Sequence, residues 1–204
     1  MAPFTFQTAK SIVSEPGVTG RIAEILADLN VSRVLIVTDT GIRGAGLLDD
    51  ALASLAEAGM EAAIFDAVEA DPPDRNIHDA VGMGAAFEAE GVVGFGGGSP
   101  MDVAKLVAFL LESHQRLDEI YGIGFCKGAR LPLVQVPTTA GTGSEVTPIA
   151  IVTTGENEKK GVVSPQLLPD VALLDADLTL GLPRHVTAAT GVDAMVHAIE
   201  AYTS

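Results

Sequence analysis

The sequence has few cysteines, aromatic residues or basic residues. Its 204 residues include one cysteine, Cys126, no tryptophan, and only 4% aromatic residues. A single cysteine cannot form an internal disulfide, and the first residues lack the basic and apolar pattern of a signal peptide. No apolar run is long enough to span a bilayer. These absences predict a cytoplasmic protein that has no membrane partner.

The scarcity of positive charge excludes further classes of partner. The chain carries 12 basic and 27 acidic residues, which gives a formal net charge of −15. Such a charge opposes unassisted binding to nucleic acid or to anionic membranes. We therefore expect no nucleic-acid partner, and chemistry on a small molecule.

Hydrophobic residues and glycines are abundant by contrast, at 48% and 22 residues. Apolar runs at residues 34–37, 92–95 and 131–136 alternate with segments of helical periodicity. This alternation predicts an α/β fold, a Rossmann-like and mostly parallel sheet with helices on both faces. Residues 4–8 and 11–14 are predicted to form an edge hairpin. Residues 149–153, 161–163 and 170–174 are predicted to extend the same sheet.

The most informative stretch is a glycine turn (residues 96–99) between an apolar run and a predicted helix. Gly96, Gly97 and Gly98 carry no Cβ, so the backbone N–H groups can approach a ligand closely. Ser99 is the predicted N-cap, and Asp102 follows three residues later. The start of a helix offers unpaired backbone N–H donors and the positive end of the helix dipole, and both favour phosphate binding. An ordinary tight turn between strand and helix is the alternative.

Ligands of parallel sheets bind beyond the carboxyl ends of the strands. Asp39 follows the first buried strand, and a threonine loop (residues 138–145) follows another. The hydroxyls of Thr138, Thr139 and Thr142 can bind sugar or phosphate oxygens. The alternative is a loop whose hydroxyls satisfy its own backbone.

Two further groups are candidates for metal or thiol chemistry. Asp193 and His197 are four residues apart on a predicted helix, so both can reach one divalent ion. A hydrogen-bonded or solvated pair is the alternative. Cys126 precedes Lys127 in a glycine-rich loop, and such a neighbour can lower a thiol pKa and make the thiol reactive.

Three segments together resemble the iron-containing (group III) alcohol dehydrogenase family. They are residues 96–105 (GGGSPMDVAK), 137–145 (PTTAGTGSE) and 191–200 (GVDAMVHAIE), and the resemblance extends over the whole chain. It implies a dinucleotide-binding α/β domain in residues 1–180. It also implies that residues 181–204 begin an all-helical metal-binding domain, of which this chain holds only the first helix.

The resemblance implies roles for individual residues. Asp39 would hold the adenosine ribose of NAD, and Gly97, Gly98 and Ser99 its pyrophosphate. The cofactor-binding set is completed by Gly96, Asp102, Thr138, Thr139, Thr142 and Lys160. Asp193 and His197 would be the first two ligands of a divalent metal, Fe²⁺ or Zn²⁺. The chain departs from the family at Asp71, where related sequences often carry Asn.

The family's chemistry is metal-assisted hydride transfer between NAD and a primary alcohol or diol, or the matching aldehyde. No side chain of this sequence is predicted as a catalytic acid or base, because the metal stabilises the alkoxide. The family's remaining histidine ligands lie beyond residue 204, so we expect this chain alone to lack part of the active site. A homodimer is also expected.

Two other functions remain open at this point. One is a nucleotide-binding module without catalysis, and the other is an enzyme acting on phosphate esters. Against the second, the sequence has no G-x-x-x-x-G-K-[ST] pattern and no cluster of carboxylates for magnesium.

Overall fold

The computed structural model describes residues 5–113, 115–155 and 158–203. The strands are β1 (Ser11–Ser14), β2 (Arg33–Val37), β3 (Glu61–Phe65), β4 (Gly91–Gly96), β5 (Gly122–Ile123), β6 (Leu133–Pro137), β7 (Ile149–Thr154), β8 (Glu158–Val163) and β9 (Val171–Leu174). The α-helices are α1 (Ile22–Asp28), α2 (Thr40–Gly44), α3 (Asp49–Glu57), α4 (Asp74–Phe87), α5 (Gly98–Glu112) and α6 (Arg184–Thr203). None of these helices is both long and apolar enough to cross a bilayer.

Six strands form one sheet in the order β1-β9-β6-β4-β2-β3. All of its strand pairings are parallel. The predicted Rossmann-like α/β fold is therefore confirmed.

Both faces of this sheet are covered by helices, because successive residues of a strand point to opposite sides. Leu35 and Val37 of β2 belong to a buried cluster that includes residues of α4 and α5. Val34 and Ile36 belong to a second buried cluster, which includes residues of α1 and α3. A continuous apolar strand is thus what a doubly covered parallel sheet requires.

The strand order reverses between β2 and β4. From β2 the chain moves outward to β3, and then returns to place β4 on the other side of β2. In open α/β sheets, ligands bind in the crevice at such a reversal, beyond the carboxyl ends of the two strands. Asp39 follows β2 there, and the glycine turn follows β4.

Two predictions about the sheet are wrong. The predicted hairpin does not form, because β1 pairs in parallel with β9. Residues 5–9 are not a strand, and Phe4 lies outside the described residues. Strands β7 and β8 do form an antiparallel pair, but they build a separate three-stranded sheet with β5. Only β9 extends the main sheet as predicted.

The last helix packs differently from α1, α3, α4 and α5, each of which has buried residues. Helix α6, the predicted helix that carries Asp193 and His197, begins at Arg184, and none of its residues is buried. The division of the chain into residues 1–180 and 181–204 remains a prediction.

Candidate functional site

The glycine turn connects β4 to α5 through two glycines with different roles. Gly96 has a φ of +146°, and a Cβ there would lie 2.9 Å from Cγ of Pro100. Gly97 has an ordinary φ of −80°, and a Cβ there would lie 3.8 Å from Oγ1 of Thr139. Gly96 is therefore needed by the fold, whereas the missing Cβ at Gly97 leaves space for a ligand.

The predicted N-cap at Ser99 is wrong. Helix α5 begins at Gly98, its N-cap residue is Gly97, and no side chain caps it. The chain thus enters the helix one residue before Ser99, with Gly97 in an extended conformation. The first N–H groups of α5 thus have no side-chain cap, as an anion site at a helix start requires.

The threonine loop packs directly on this turn. The N–H of Thr138 donates to the carbonyl oxygen of Gly96 at 2.9 Å, and a Cβ on Gly98 would lie 3.3 Å from Cγ2 of Thr142. Oγ1 of Thr138 and Oγ1 of Thr139 are buried and have no hydrogen-bond partner among the described residues. Thr142 instead accepts from the N–H of Ser144 at 3.4 Å.

These hydroxyls decide between the two readings of the loop. Thr142 satisfies its own backbone, as the alternative predicted, but Thr138 and Thr139 do not. Buried hydroxyls normally have a partner, and ligand oxygens are suitable ones. The turn and the loop therefore fit a group that carries phosphate and sugar oxygens.

A cavity of about 520 Å³ lies between the glycine turn, the threonine loop, the β7–β8 pair and α6. It brings together half of the predicted site residues: Gly98, Ser99, Asp102, Thr142, Asp193 and His197. Ile149 and Ile151, predicted to form an apolar wall, also line it. Gly96, Gly97, Thr138 and Thr139 do not line this cavity. They adjoin Gly98 and Thr142 through the contacts described above, and Thr139 lines a different cleft.

Asp102 faces the cavity but already has several partners. Its Oδ1 accepts from the hydroxyl of Ser144 at 2.6 Å, and its Oδ2 accepts from the N–H of Ile151 at 3.0 Å. Nζ of Lys105 lies 3.3 Å from Oδ1. Asp102 thus ties α5 to β7 and to the threonine loop.

Lys105 and Ser144 are site residues that sequence reasoning missed. Lys105 is fully buried and donates to the carbonyl oxygen of Ile149 at 2.6 Å and to Oγ of Ser144 at 2.8 Å. Burial lowers the pKa of Lys105, and the carboxylate of Asp102 partly offsets this effect. The signal available in the sequence was a lone lysine within the otherwise apolar helix after the glycine turn.

Asp39 does not line this cavity. It is the N-cap of α2 and accepts from the N–H of Ile42 at 2.9 Å. A Cβ on Gly96 would lie 3.5 Å from Cγ1 of Ile42, so α2 borders the turn. Asp39 therefore lies just beyond the carboxyl end of β2, at the start of a helix that borders the turn after β4.

The structure does not bring Lys160 to the other predicted residues. Its Nζ lies 5.4 Å from the ring centroid of Tyr121, in a different cleft that Asp74 and His78 also line. The adjacent Lys159 lines the cavity instead. Neighbouring residues of a strand point to opposite faces, so a shift of one position changes the side.

Asp193 and His197 lie one turn apart on α6, as predicted, and both face the cavity. Nε2 of His197 is 3.5 Å from Oδ1 of Asp193, and both side chains are about half exposed. Within the described parts of the chain, no three His, Cys, Asp or Glu side chains are grouped closely enough to hold a metal ion. The pair fits two ligands of a divalent ion but does not complete a catalytic site.

Cys126 is not the reactive thiol considered from the sequence. Its side chain is buried, and burial raises the pKa of the thiol despite a hydrogen bond with Ser164. The thiolate needed for reactivity is thus disfavoured.

Comparisons with known proteins indicate the family of the chain. A family model described as iron-containing alcohol dehydrogenase matches residues 9–176. A sulfoacetaldehyde reductase from Bilophila wadsworthia is 38% identical over 200 residues, which cover 98% of this chain and 52% of that protein. A 1,3-propanediol dehydrogenase from Klebsiella pneumoniae is 40% identical over 192 residues, covering 93% of this chain and 50% of that protein.

Solved structures give the same result. A crystal structure of a 1,3-propanediol oxidoreductase matches with a TM-score of 0.95 and 37% identity, covering 98% of this chain and 53% of that one. A sulfoacetaldehyde reductase from Bifidobacterium kashiwanohense, in complex with NAD+, matches with a TM-score of 0.85 and 27% identity over 95% of this chain and 51% of that one. The chain thus spans about half the length of these relatives. With the family model matching most of its length, the chain belongs to the iron-containing alcohol dehydrogenase family.

Proposed function

We propose that this chain is the NAD-binding part of a metal-assisted alcohol dehydrogenase. The reaction is reversible hydride transfer between NAD and a primary alcohol or diol, or the matching aldehyde. The observation that carries this proposal is the uncapped start of α5 beside two buried, unpartnered threonine hydroxyls. Both features suit a ligand with phosphate and sugar oxygens.

Different residues around the crevice would bind different parts of the dinucleotide. The N–H groups of Gly97, Gly98 and Ser99 would bind the pyrophosphate, because the helix start carries partial positive charge. Asp39 would accept hydrogen bonds from the adenosine ribose hydroxyls. Thr138 and Thr139 would donate to the remaining cofactor oxygens.

The substrate end of the cavity is formed by different residues. Ile149 and Ile151 give a partly exposed apolar wall, which suits the carbon chain of an alcohol. Asp193 and His197 would contribute two ligands to Fe²⁺ or Zn²⁺. Such an ion, when bound, supplies a Lewis acid for the substrate oxygen.

Asp102 and Lys105 would fix this end of the cavity without touching the substrate. Asp102 accepts from the Ile151 N–H, and the buried Lys105 donates to the Ile149 carbonyl oxygen. The apolar wall is therefore held at a fixed position relative to the start of α5. Placing a substrate carbon against a nicotinamide ring requires such fixed walls.

The surrounding context follows from family membership and composition. We infer a homodimer and a cytoplasmic setting, the latter supported by a single cysteine, which cannot form an internal disulfide. A nucleotide-binding module without catalysis is less well supported, because it gives no reason for Asp193 and His197 to line the same cavity as Ser99.

Calorimetric titrations with NADH and with ATP test this function. Both ligands carry phosphates and an adenosine, but only NADH can use the nicotinamide end of the cavity. We expect NADH to bind more tightly than ATP. Equal affinities, or binding of ATP alone, would indicate a general nucleotide-binding module.

A further inference from the structure

An ion pair lies at the edge of the candidate site. Nζ of Lys159 is 2.7 Å from Oδ1 of Asp71, and both residues line the cavity that Gly98 and Ser99 also line. Among the described residues that line it, Lys159 is the only lysine or arginine. The one lysine of this described lining is therefore held by a carboxylate.

The backbone places Asp71 opposite Lys159. The turn that carries Asp71 is bonded to β7, because the N–H of Thr153 donates to the carbonyl oxygen of Pro72 at 2.9 Å. Thr153 is in turn the direct cross-strand partner of Lys159 in the β7–β8 pair. Asp71 itself has a φ of +51°, in the left-handed region that Asp and Asn occupy more readily than most residues.

Carboxylates around the cavity affect how strongly it can bind a dinucleotide. Asp71, Asp102 and Asp193 all line it. Asp102 already forms an ion pair with Lys105. Asp71 is exposed and forms its ion pair with Lys159. A dinucleotide brings two negative charges on its pyrophosphate, so it meets Asp71 both as a like charge and as a competitor for Lys159.

We propose that Asp71 limits the affinity of this site for the dinucleotide by holding Lys159 in an ion pair. This proposal rests on the proposed function. Asp71→Asn keeps the shape and tolerates the positive φ, so it should remove the competition without disturbing the fold. Exposed ion pairs are weak, so we expect NADH binding to tighten roughly two- to fivefold.

Calorimetry on four versions of the full chain tests this: wild type, Asp71→Asn, Lys159→Met and the double variant, each with NADH at low ionic strength. We expect Lys159→Met to weaken binding little in the wild type but to reduce the gain in Asp71→Asn, because only the like-charge effect of Asp71 is independent of Lys159. The gain should also shrink when salt is raised, because salt screens exposed charges. Asp74→Asn is the matched control, since that carboxylate is three residues away and does not line this cavity. It should leave the dissociation constant unchanged.

The outcomes separate this proposal from the function on which it rests. If NADH binds wild type and Asp71→Asn equally, or if Lys159→Met costs the same in both backgrounds, the proposal is wrong and the dinucleotide site stands. An equal gain in the Asp74→Asn control would also overturn it, since the effect would then be general charge. If NADH binds none of the four chains, the proposed function and this proposal both fail.

Discussion

Gly141 and Thr190 are in direct contact, and a Cβ on Gly141 would lie 2.4 Å from the carbonyl oxygen of Thr190. The contact joins the threonine loop to α6, a helix without buried residues. The close approach of these two backbones therefore helps to position the helix that carries Asp193 and His197.

Gly141→Ala should displace α6, because its methyl group would meet backbone atoms that cannot move aside alone. We expect faster amide hydrogen exchange across residues 184–203, with the exchange of β4 and α5 unchanged. Gly191→Ala is the control, since a Cβ there meets nothing within 4 Å and alanine favours helix by roughly 1 kcal/mol over glycine. Exchange in α6 that is unaffected by Gly141→Ala would mean that this contact does not hold the helix.

Asp39 is expected to select NAD over NADP. A 2′-phosphate placed beside this carboxylate would meet like charge, whereas ribose hydroxyls donate to it. Asp39→Asn retains a side-chain oxygen for the cap on the N–H of Ile42 but removes the charge. The ratio of NADP to NAD dissociation constants should fall by about tenfold or more in the variant. An unchanged ratio would show that another residue makes the choice.

The sequence predicted the layers of the fold because local patterns determine them. Apolar runs predicted β2, β4 and β6, and the three glycines marked the turn before α5. The false hairpin has a physical reason: the partner of β1 is β9, which lies about 160 residues away and leaves no local signal in the sequence. The short helix α2 was missed, since its five residues are too few to show a period.

The candidate site was predictable to the extent that its residues lie in motifs. Gly98, Ser99, Asp193 and His197 meet at one cavity as expected. The network of Lys105 and Ser144 depends on tertiary packing, so no local pattern predicted it. Lys159 and Lys160 face opposite sides of β8. The flanking sequence alone does not show which of the two lysines faces the cavity.

Acid should destabilise the chain through Asp170. Burial by itself would raise the pKa of this carboxyl, but hydrogen bonds from Arg130, Lys10 and the N–H of Leu133 outweigh it and hold the pKa below its ordinary value. A lowered folded-state pKa stabilises the fold above the unfolded value of about 3.9, and that stabilisation is lost as the pH falls through the folded value.

Asp170→Asn therefore should lower the free energy of unfolding at neutral pH by about 2–4 kcal/mol, because Arg130 loses its buried partner. It should also reduce the loss of stability below about pH 4. Lys10→Ala is the control, since Lys10 is 77% exposed and exposed pairs contribute about 1 kcal/mol or less. Denaturant unfolding across a pH series measures both. If wild type and Asp170→Asn lost stability equally at low pH, Asp170 would be excluded as the source of the acid destabilisation.

Metal binding by the 204-residue chain should be weak. Among the described residues the structure groups only Asp193 and His197, and a catalytic site of this kind needs at least three protein ligands. Zinc titration by calorimetry should show no high-affinity site, and His197→Ala should remove the weak binding that occurs. We also expect no alcohol oxidation with NAD and added iron or zinc. Metal-dependent turnover by these residues alone would show that the two ligands suffice.

Titration of a Gly97→Val chain with NADH tests whether the glycine turn binds the pyrophosphate of the dinucleotide. A Cβ at Gly97 meets only ordinary contacts with Thr139, and its backbone angles suit any residue, so the variant should fold with a stability change of about 1 kcal/mol or less. Its side chain, however, occupies the space where backbone N–H groups would meet the pyrophosphate. We expect wild type to bind NADH and folded Gly97→Val to show no detectable binding. Wild-type affinity in a folded Gly97→Val chain would contradict this expectation.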